Sequence, residues 1–76
     1  MAVGDPMKEI RSNMTGTVLR VIVKPGDKIV ADQDIVVLES MKMEMMVPST
    51  DSGIVKEIRV ASDEFVQEGQ VLLTLE

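Results

Sequence analysis

The sequence predicts an all-β domain made of two similar halves, chiefly because it contains an internal repeat. The segment 16–39, displaced by 37 positions, matches 53–76 without a gap. Matched positions include Gly16 and Gly53, Val18 and Val55, Gln33 and Gln70, Leu38 and Leu75, and Glu39 and Glu76. The repeated segments are rich in valine and isoleucine, which favour strands. An ungapped repeat of this length predicts two similar strand sets and an approximate two-fold axis.

Length and composition limit how the domain can be stabilised. A chain of 76 residues forms one domain, and one of this size buries only about 60% of the surface that its unfolded form exposes. Cysteine is absent, so stability must come from packing rather than from disulfides. Residues 1–7 contain Gly4, Asp5 and Pro6 without a pattern. We expect them to form a flexible lead to a domain at 8–76.

The strands follow from apolar patterning between turn residues. We predict strands at 8–12, 17–23, Ile29, 35–39, 43–48, 54–60 and 71–75, with turns at 12–16, 24–27, 31–33 and 49–52. The segment 35–47 is apolar enough to form a helix instead, but Val36-Val37 and the flanking repeat favour strand. Residues 40–52 have no counterpart in the repeat.

Within each repeated strand, comparison of the two halves indicates which residues are buried. Positions 18, 21 and 23 match 55, 58 and 60, and all are apolar. A regular strand alternates by two, so the step of three from 18 to 21 requires an extra residue. We therefore predict a β-bulge near Leu19-Arg20 and another near Lys56-Glu57.

Two further expectations concern the turns and the last strand. Gly26 matches Asp63, and Asp32 matches Gly69, so we expect positive φ at or beside Asp32 and Asp63. In the last strand, simple alternation assigns 71, 73 and 75 to the core, with 34, 36 and 38 as the matching set in the first half.

The most informative segment is 39–45, Glu-Ser-Met-Lys-Met-Glu-Met. Alternation places Met41, Met43 and Met45 on one face and Lys42 and Glu44 on the other, unless a turn at 41–42 reverses the order. A nucleophilic lysine is normally activated by burial or by nearby positive charge, whereas Lys42 has acidic neighbours. Histidine and cysteine are both absent. We therefore expect no catalytic residue here and regard Lys42 as an attachment point that another enzyme modifies.

Met41-Lys42-Met43, preceded by Val37-Leu38-Glu39 and followed by Glu44, resembles the biotin-attachment motif of biotin carboxyl carrier domains. The resemblance extends from about residue 10 to 76 and includes the turns at 25–27 and 51–53 and the Gly69-Gln70 step. It implies a flattened β-barrel or sandwich of two antiparallel four-stranded sheets with quasi-two-fold symmetry, and the lysine at a hairpin tip. The family's loop around Met14, which lies near the lysine hairpin in the family fold, often contains prolines, whereas Asn13 and Thr15 stand here.

The resemblance also implies a function. A biotin protein ligase would attach biotin to Lys42, and Met41 and Met43 would take part in recognition by the ligase and partner enzymes. The biotin would shuttle CO2 between a biotin carboxylase and a carboxyltransferase or decarboxylase component. Carrier domains of some acetyl-CoA carboxylases have an extra protruding loop between the second and third strands, whereas Val23 and Ile29 are joined here by a short turn. The chain is therefore more similar to the carriers of pyruvate, propionyl-CoA or methylcrotonyl-CoA carboxylases, or to free-standing attachment proteins.

Two alternatives stay open. Lipoyl domains of 2-oxoacid dehydrogenase complexes share the implied fold, but they typically have an acidic residue before the lysine and alanine after it. Unmodified barrel-sandwich modules, as in membrane-fusion adaptors, typically carry a long helical insertion in the hairpin. The methionines on both sides of Lys42 favour biotin over either alternative.

Charge and composition exclude several other classes. The net charge of −5 and the single aromatic residue are unlike a nucleic-acid-binding surface or one that binds an anionic membrane. The acidic residues lack the spacing of metal ligands, so we expect no metal. No signal-peptide pattern is present. We expect a cytoplasmic carrier that is monomeric in isolation.

Overall fold

The computed structural model describes residues 8–76 and shows eight β-strands. They are β1 (Lys8–Arg11), β2 (Gly16–Val21), β3 (Lys28–Ile29), β4 (Asp34–Ser40), β5 (Met43–Pro48), β6 (Gly53–Ile58), β7 (Phe65–Val66) and β8 (Val71–Leu75). They form two antiparallel four-stranded sheets, in the orders β1-β8-β6-β3 and β5-β4-β2-β7. The predicted all-β class is confirmed, and the segment 35–47 is a strand hairpin rather than a helix. The predicted lead at 1–7 lies outside the described residues.

The two sheets are copies of one another, strand for strand. The repeat relates β2 to β6, β3 to β7 and β4 to β8, and the two strands of each pair hold the same place in the order of their sheets. In the same way, β1 lies beside β8 and β5 lies beside β4. Paired hydrogen bonds repeat this relation, because the Ser12 amide donates to Gln70 and the Ser49 amide donates to Gln33. The expectation that 40–52 has no counterpart is therefore wrong. Residues 45–52 correspond in structure to residues 8–15, at the same displacement of 37 positions. Only residues 40–44 are left without a counterpart.

The serines that follow β1 and β5 show how far the repeat extends. Ser12 Oγ donates to the Met14 carbonyl at 2.6 Å and accepts from the Met14 amide at 3.3 Å. Ser49 makes the same two bonds to Asp51, at 2.5 and 3.2 Å. Both serines are buried, so their hydroxyls satisfy backbone groups that water cannot reach. In the sequence this relation is visible only in the matched serines and in the apolar pair Ile10 and Val47.

The two predicted bulges are confirmed. Val18 pairs with Leu38 but Arg20 pairs with Val37, which leaves Leu19 as the extra residue. In the other sheet Lys56 is the extra residue between Val55 and Glu57. Positive φ is also confirmed at Asp32 (73°) and Asp63 (74°).

The core positions that alternation predicts in β8 and β4 are confirmed at 73, 75, 36 and 38 but are wrong at 71 and 34, and alternation missed the buried Leu72. Leu72 and Leu73 both belong to the core, Leu75 is fully buried, and Val71 is only half-buried. The reason is a second pair of bulges, at which Leu72 is the extra residue opposite β1 and Ile35 is the extra residue opposite β5. A bulge turns an additional side chain towards one face, so each half of the core gains a large aliphatic residue. Asp34, in the matching set, is exposed.

A single aliphatic core fills the space between the sheets. Its members are Ile10, Val18, Val23, Ile29, Ile35, Val36, Leu38, Val47, Val55, Val60, Val66, Leu72, Leu73 and Leu75. The predicted core positions 18, 23, 55 and 60 are among them, while Val21 and Ile58 are half-buried and pack against the cluster. This core holds β4 and β5 in place and thereby fixes the hairpin that carries Lys42.

Candidate functional site

The β4–β5 hairpin ends in the tightest turn that two antiparallel strands allow. Ser40 pairs with Met43, so only Met41 and Lys42 connect the strands. Their φ angles are +54° and +65°, as in a type I′ turn, which usually uses asparagine and glycine. Left-handed backbone costs a residue with a side chain roughly 1–2 kcal/mol. Strain of this kind concentrates at functional sites.

Lys42 therefore occupies the apex of the hairpin, where its side chain is exposed. The ion pairs within residues 8–76 join Arg11 to Glu9 and Arg59 to Glu57, so neither involves Lys42. The amine therefore stands at the tip of a paired hairpin and is open to solvent. The sequence-based prediction that Lys42 is an attachment point stays a prediction, with a geometry that suits it.

The methionines flank the lysine as one surface. Met45 lies opposite Leu38 and Met43 lies opposite Ser40, so both point to the side of the hairpin that continues the core face. Together with Met41, Met14 and Ser40 they line a shallow, largely apolar depression. Met43 and Met45 thus share a side, and Met41 also lines this depression although the turn does fall at 41–42. We call this surface, formed by Met14, Met41, Met43 and Met45, the methionine depression.

A second depression lies on the other side of the apex. It is lined by Thr15, Gly16, Thr17, Glu39, Ser40, Met41, Lys42 and Phe65. Across the outer face of this sheet, Phe65 pairs with Thr17, Thr17 with Glu39, and Glu39 with Glu44. Two glutamates therefore face each other directly across the strands, and like charges in this relation are destabilising.

Sequence reasoning missed Phe65 and Thr17 as neighbours of the lysine. Phe65 is exposed on the short strand β7, and the repeat matches it to the exposed Lys28. Phe65 is the only aromatic residue of the sequence, and the repeat places it at a position where the other half has a lysine. This mismatch is a signal that could have identified it. Met14 was linked to the hairpin only through the family resemblance, and the depression confirms that they are neighbours.

Comparison with known proteins agrees with this geometry. Residues 8–75 match the family model described as "Biotin-requiring enzyme", the biotin/lipoyl model. The chain belongs to the biotin/lipoyl attachment family. A biotin/lipoyl attachment protein of Bacillus subtilis is 48% identical over 62 residues, which cover 82% of this chain and 85% of the relative.

Larger relatives contain this biotin/lipoyl domain as a small part. The human mitochondrial propionyl-CoA carboxylase alpha chain is 39% identical over 95% of this chain and 10% of its own length. The dihydrolipoyllysine-residue acetyltransferase component of the Pseudomonas aeruginosa pyruvate dehydrogenase complex is 44% identical over 84% of this chain and 12% of its own. The chain therefore spans only about a tenth of these proteins.

Solved structures show the same fold. The Kluyveromyces lactis urea carboxylase superposes with a TM-score of 0.85 at 26% identity, over all of this chain and 7% of that one. A single-chain, multi-domain long-chain acyl-CoA carboxylase gives a TM-score of 0.83 at 27% identity, over 97% of this chain and 8% of that one. Within residues 8–76 there is no helix of the length and apolarity needed to cross a membrane.

Proposed function

We propose that this chain is a biotin carboxyl carrier domain whose Lys42 receives biotin from a biotin protein ligase. The observation that carries the proposal is the exposed amine at the apex of the β4–β5 turn, between Met41 and Met43, in a member of the biotin/lipoyl attachment family. The domain does no chemistry of its own in this proposal. Its residues present one amine, and the ligase supplies the activated acyl group.

Each part of the hairpin has a task in this role. The two-residue turn leaves Lys42 without strand partners, so the amine can reach into a ligase active site. Met41 and Met43 are exposed beside it and offer apolar contact area that adapts to different partners. Joining biotin to the amine as an amide removes its positive charge. When bound, the biotin would carry a carboxyl group from one enzyme site to another.

The β-sandwich contributes stiffness. Because β4 is paired on both sides, with β2 and β5, the base of the hairpin cannot swing freely. Motion is then confined to the lysine and the group attached to it. A tethered group of this kind has a high effective concentration at every site within its reach. The partners in this proposal are a biotin carboxylase and a carboxyltransferase or decarboxylase component, in the cytoplasm, with the carrier itself monomeric.

A lipoyl carrier is the second candidate, and the relatives support it as well. Identity does not separate the two, because an acetyltransferase component is 44% identical and a propionyl-CoA carboxylase chain 39% identical. The immediate flanks of the lysine favour biotin, since Met41 and Met43 stand where lipoyl domains typically have an acidic residue and alanine. The carboxylase relatives and both carboxylase structures support the same choice.

Intact-mass measurement tests the proposal. The chain is co-expressed with a biotin protein ligase and, separately, with a lipoate ligase. We expect one biotinyl group on the wild type and none on Lys42→Ala. Lys56→Ala is the matched control, because Lys56 is also exposed but belongs to a bulge in the frame. A biotinyl group that Lys42→Ala retains, or a lipoyl group alone on the wild type, would overturn the proposal.

A second variant tests the flanks. Met41→Asp combined with Met43→Ala imitates the typical lipoyl context while leaving Lys42 in place. We expect lower acceptance of biotin and higher acceptance of lipoate than in the wild type. Unchanged acceptance of both groups would mean that the methionines do not decide between the ligases.

A further inference from the structure

The methionine depression places an oxidisable surface around the proposed acceptor amine. Of the hairpin methionines, Met41 is 91% exposed and Met43 is 62% exposed, followed by Met46 at 47% and Met45 at 37%. Among the methionines of residues 8–76, the two most exposed are therefore those directly before and after Lys42. Neither residue belongs to the core cluster, so their apolar character does not serve folding.

Leucine would offer a similar apolar surface without the sulfur. Methionine sulfur is oxidised far more readily than any aliphatic side chain, and the product is reversible. We propose that Met41 and Met43 form a site of reversible sulfoxidation that controls access to Lys42. This inference rests on the proposed function, because the consequence drawn below concerns acylation of that lysine.

The chemistry needs only a peroxide as oxidant. The thioether sulfur attacks one peroxide oxygen, the O–O bond breaks, and an S=O bond forms. Hydrogen peroxide is thereby reduced to water while the sulfur loses two electrons. Each sulfoxide is polar and chiral, and one reductase exists for each of its two epimers.

The structural consequence is local. Oxidation converts the apolar flanks of Lys42 into polar ones without touching the amine. The turn lies outside the core, so the sheets remain intact. A partner enzyme that contacts the methionine depression would then have to desolvate two sulfoxides, which disfavours its docking.

Peptide mapping after graded peroxide treatment tests the site. We expect sulfoxide to form first at Met41 and then at Met43, ahead of Met45 and Met14. Met46 lies opposite Val37 on the other face of the hairpin, so it is an internal reference of intermediate exposure. Equal oxidation of all five methionines in the described part of the chain would overturn the inference.

Initial rates of biotin transfer to Lys42 test the consequence. In the oxidised wild type we expect the rate to fall about tenfold, because a sulfoxide loses hydrogen bonds to water when an apolar partner covers it. Treatment with both methionine sulfoxide reductases should restore the rate. The Met41→Leu/Met43→Leu double variant should show the same rate before and after peroxide, whatever that rate is, whereas Met46→Leu should still respond.

The outcomes separate this inference from the proposed function. An undiminished rate in the oxidised wild type, or an equal loss in the double variant, would overturn the switch while leaving biotin attachment intact. If the untreated wild type accepts no biotin, the proposed function fails. The switch then fails with it as a control of biotin transfer, even if the peroxide map still singles out Met41 and Met43.

Discussion

The duplicated frame and the hairpin apex follow opposite rules. In the frame, residues 8–39 and 45–76 place equivalent serines, bulges and aliphatic residues at equivalent positions, and nearly all of these choices favour folding. At 40–44, the piece that the repeat leaves unmatched, two residues with side chains adopt left-handed backbone, and Glu44 faces Glu39. Methionines there lie exposed. The difference teaches that the residues of the frame meet the demands of packing, whereas the apex combines several features that oppose stability, as a functional site does.

If the two halves contribute equally to stability, truncating equivalent core residues should lower the free energy of unfolding by the same amount. Leu38 and Leu75 occupy matched positions and are both fully buried. We expect Leu38→Ala and Leu75→Ala each to lower the free energy of unfolding by about 3 kcal/mol, from lost burial and the cavity left behind. Urea denaturation of both variants measures this. A difference greater than about 1.5 kcal/mol between them would break the equivalence of the halves.

The two halves of the frame differ in polarity at the buried matched positions 37 and 74. Val37 and Thr74 are both buried, and Thr74 Oγ1 has no hydrogen-bond partner among the described residues. We expect Thr74→Val to raise the free energy of unfolding by about 1 kcal/mol, because it removes an unsatisfied polar atom. The reciprocal Val37→Thr should lower it by about 1–2 kcal/mol. Thermal unfolding of this reciprocal pair would contradict the argument if both changes acted in the same direction.

At the apex, the expected sign is reversed, because a substitution that destroys the proposed site should stabilise the domain. Lys42 has φ of +65°, which glycine adopts without steric cost. We expect Lys42→Gly to raise the free energy of unfolding by about 1 kcal/mol. Lys42→Ala is the control, since alanine keeps the Cβ and should bring no such gain. If urea denaturation gave the two variants equal free energies of unfolding, the left-handed backbone at position 42 would not be strained.

The smallest expected effect concerns the facing glutamates. Glu44→Gln removes a like-charge pair with Glu39, so we expect a gain of about 0.3 kcal/mol at low ionic strength. The gain should disappear at about 1 M salt, where charges are screened within roughly 3 Å. Glu57→Gln is the comparison, because Glu57 pairs with Arg59 at 3.4 Å and its loss should bring no gain. Melting temperatures at two salt concentrations measure the effect, and a gain that persists in salt would mean that repulsion is not its cause.

Much of the frame could be predicted because the repeat supplies two independent copies of each strand. Comparing 18 and 21 with 55 and 58 was enough to predict bulges near Leu19-Arg20 and Lys56-Glu57, since both copies break alternation at the same step, and the structure identifies Leu19 and Lys56 as the extra residues. The same comparison predicted the left-handed positions Asp32 and Asp63, where each half replaces a glycine of the other.

The bulges at Ile35 and Leu72 escaped prediction for a physical reason. β4 and β8 are almost continuously apolar, so their sequences look the same whether one face or both faces are buried. Only the pairing of β4 with β5 and of β8 with β1 decides which residue is extra. The equivalence of β1 and β5 was missed because their residues differ, apart from the apolar Ile10 and Val47 and the serines that follow.

The sequence by itself determined the all-β class, the doubled frame, two bulges, two left-handed turn residues and the lysine between two methionines. These are properties of local spacing and residue type, which a chain carries before it folds. The tertiary structure alone decided that Met14 joins Met41, Met43 and Met45, and that Phe65 and Thr17 lie beside Lys42. Those neighbours come from strands far apart in the chain, and they meet only because packing of the shared core sets the order of the strands in each sheet.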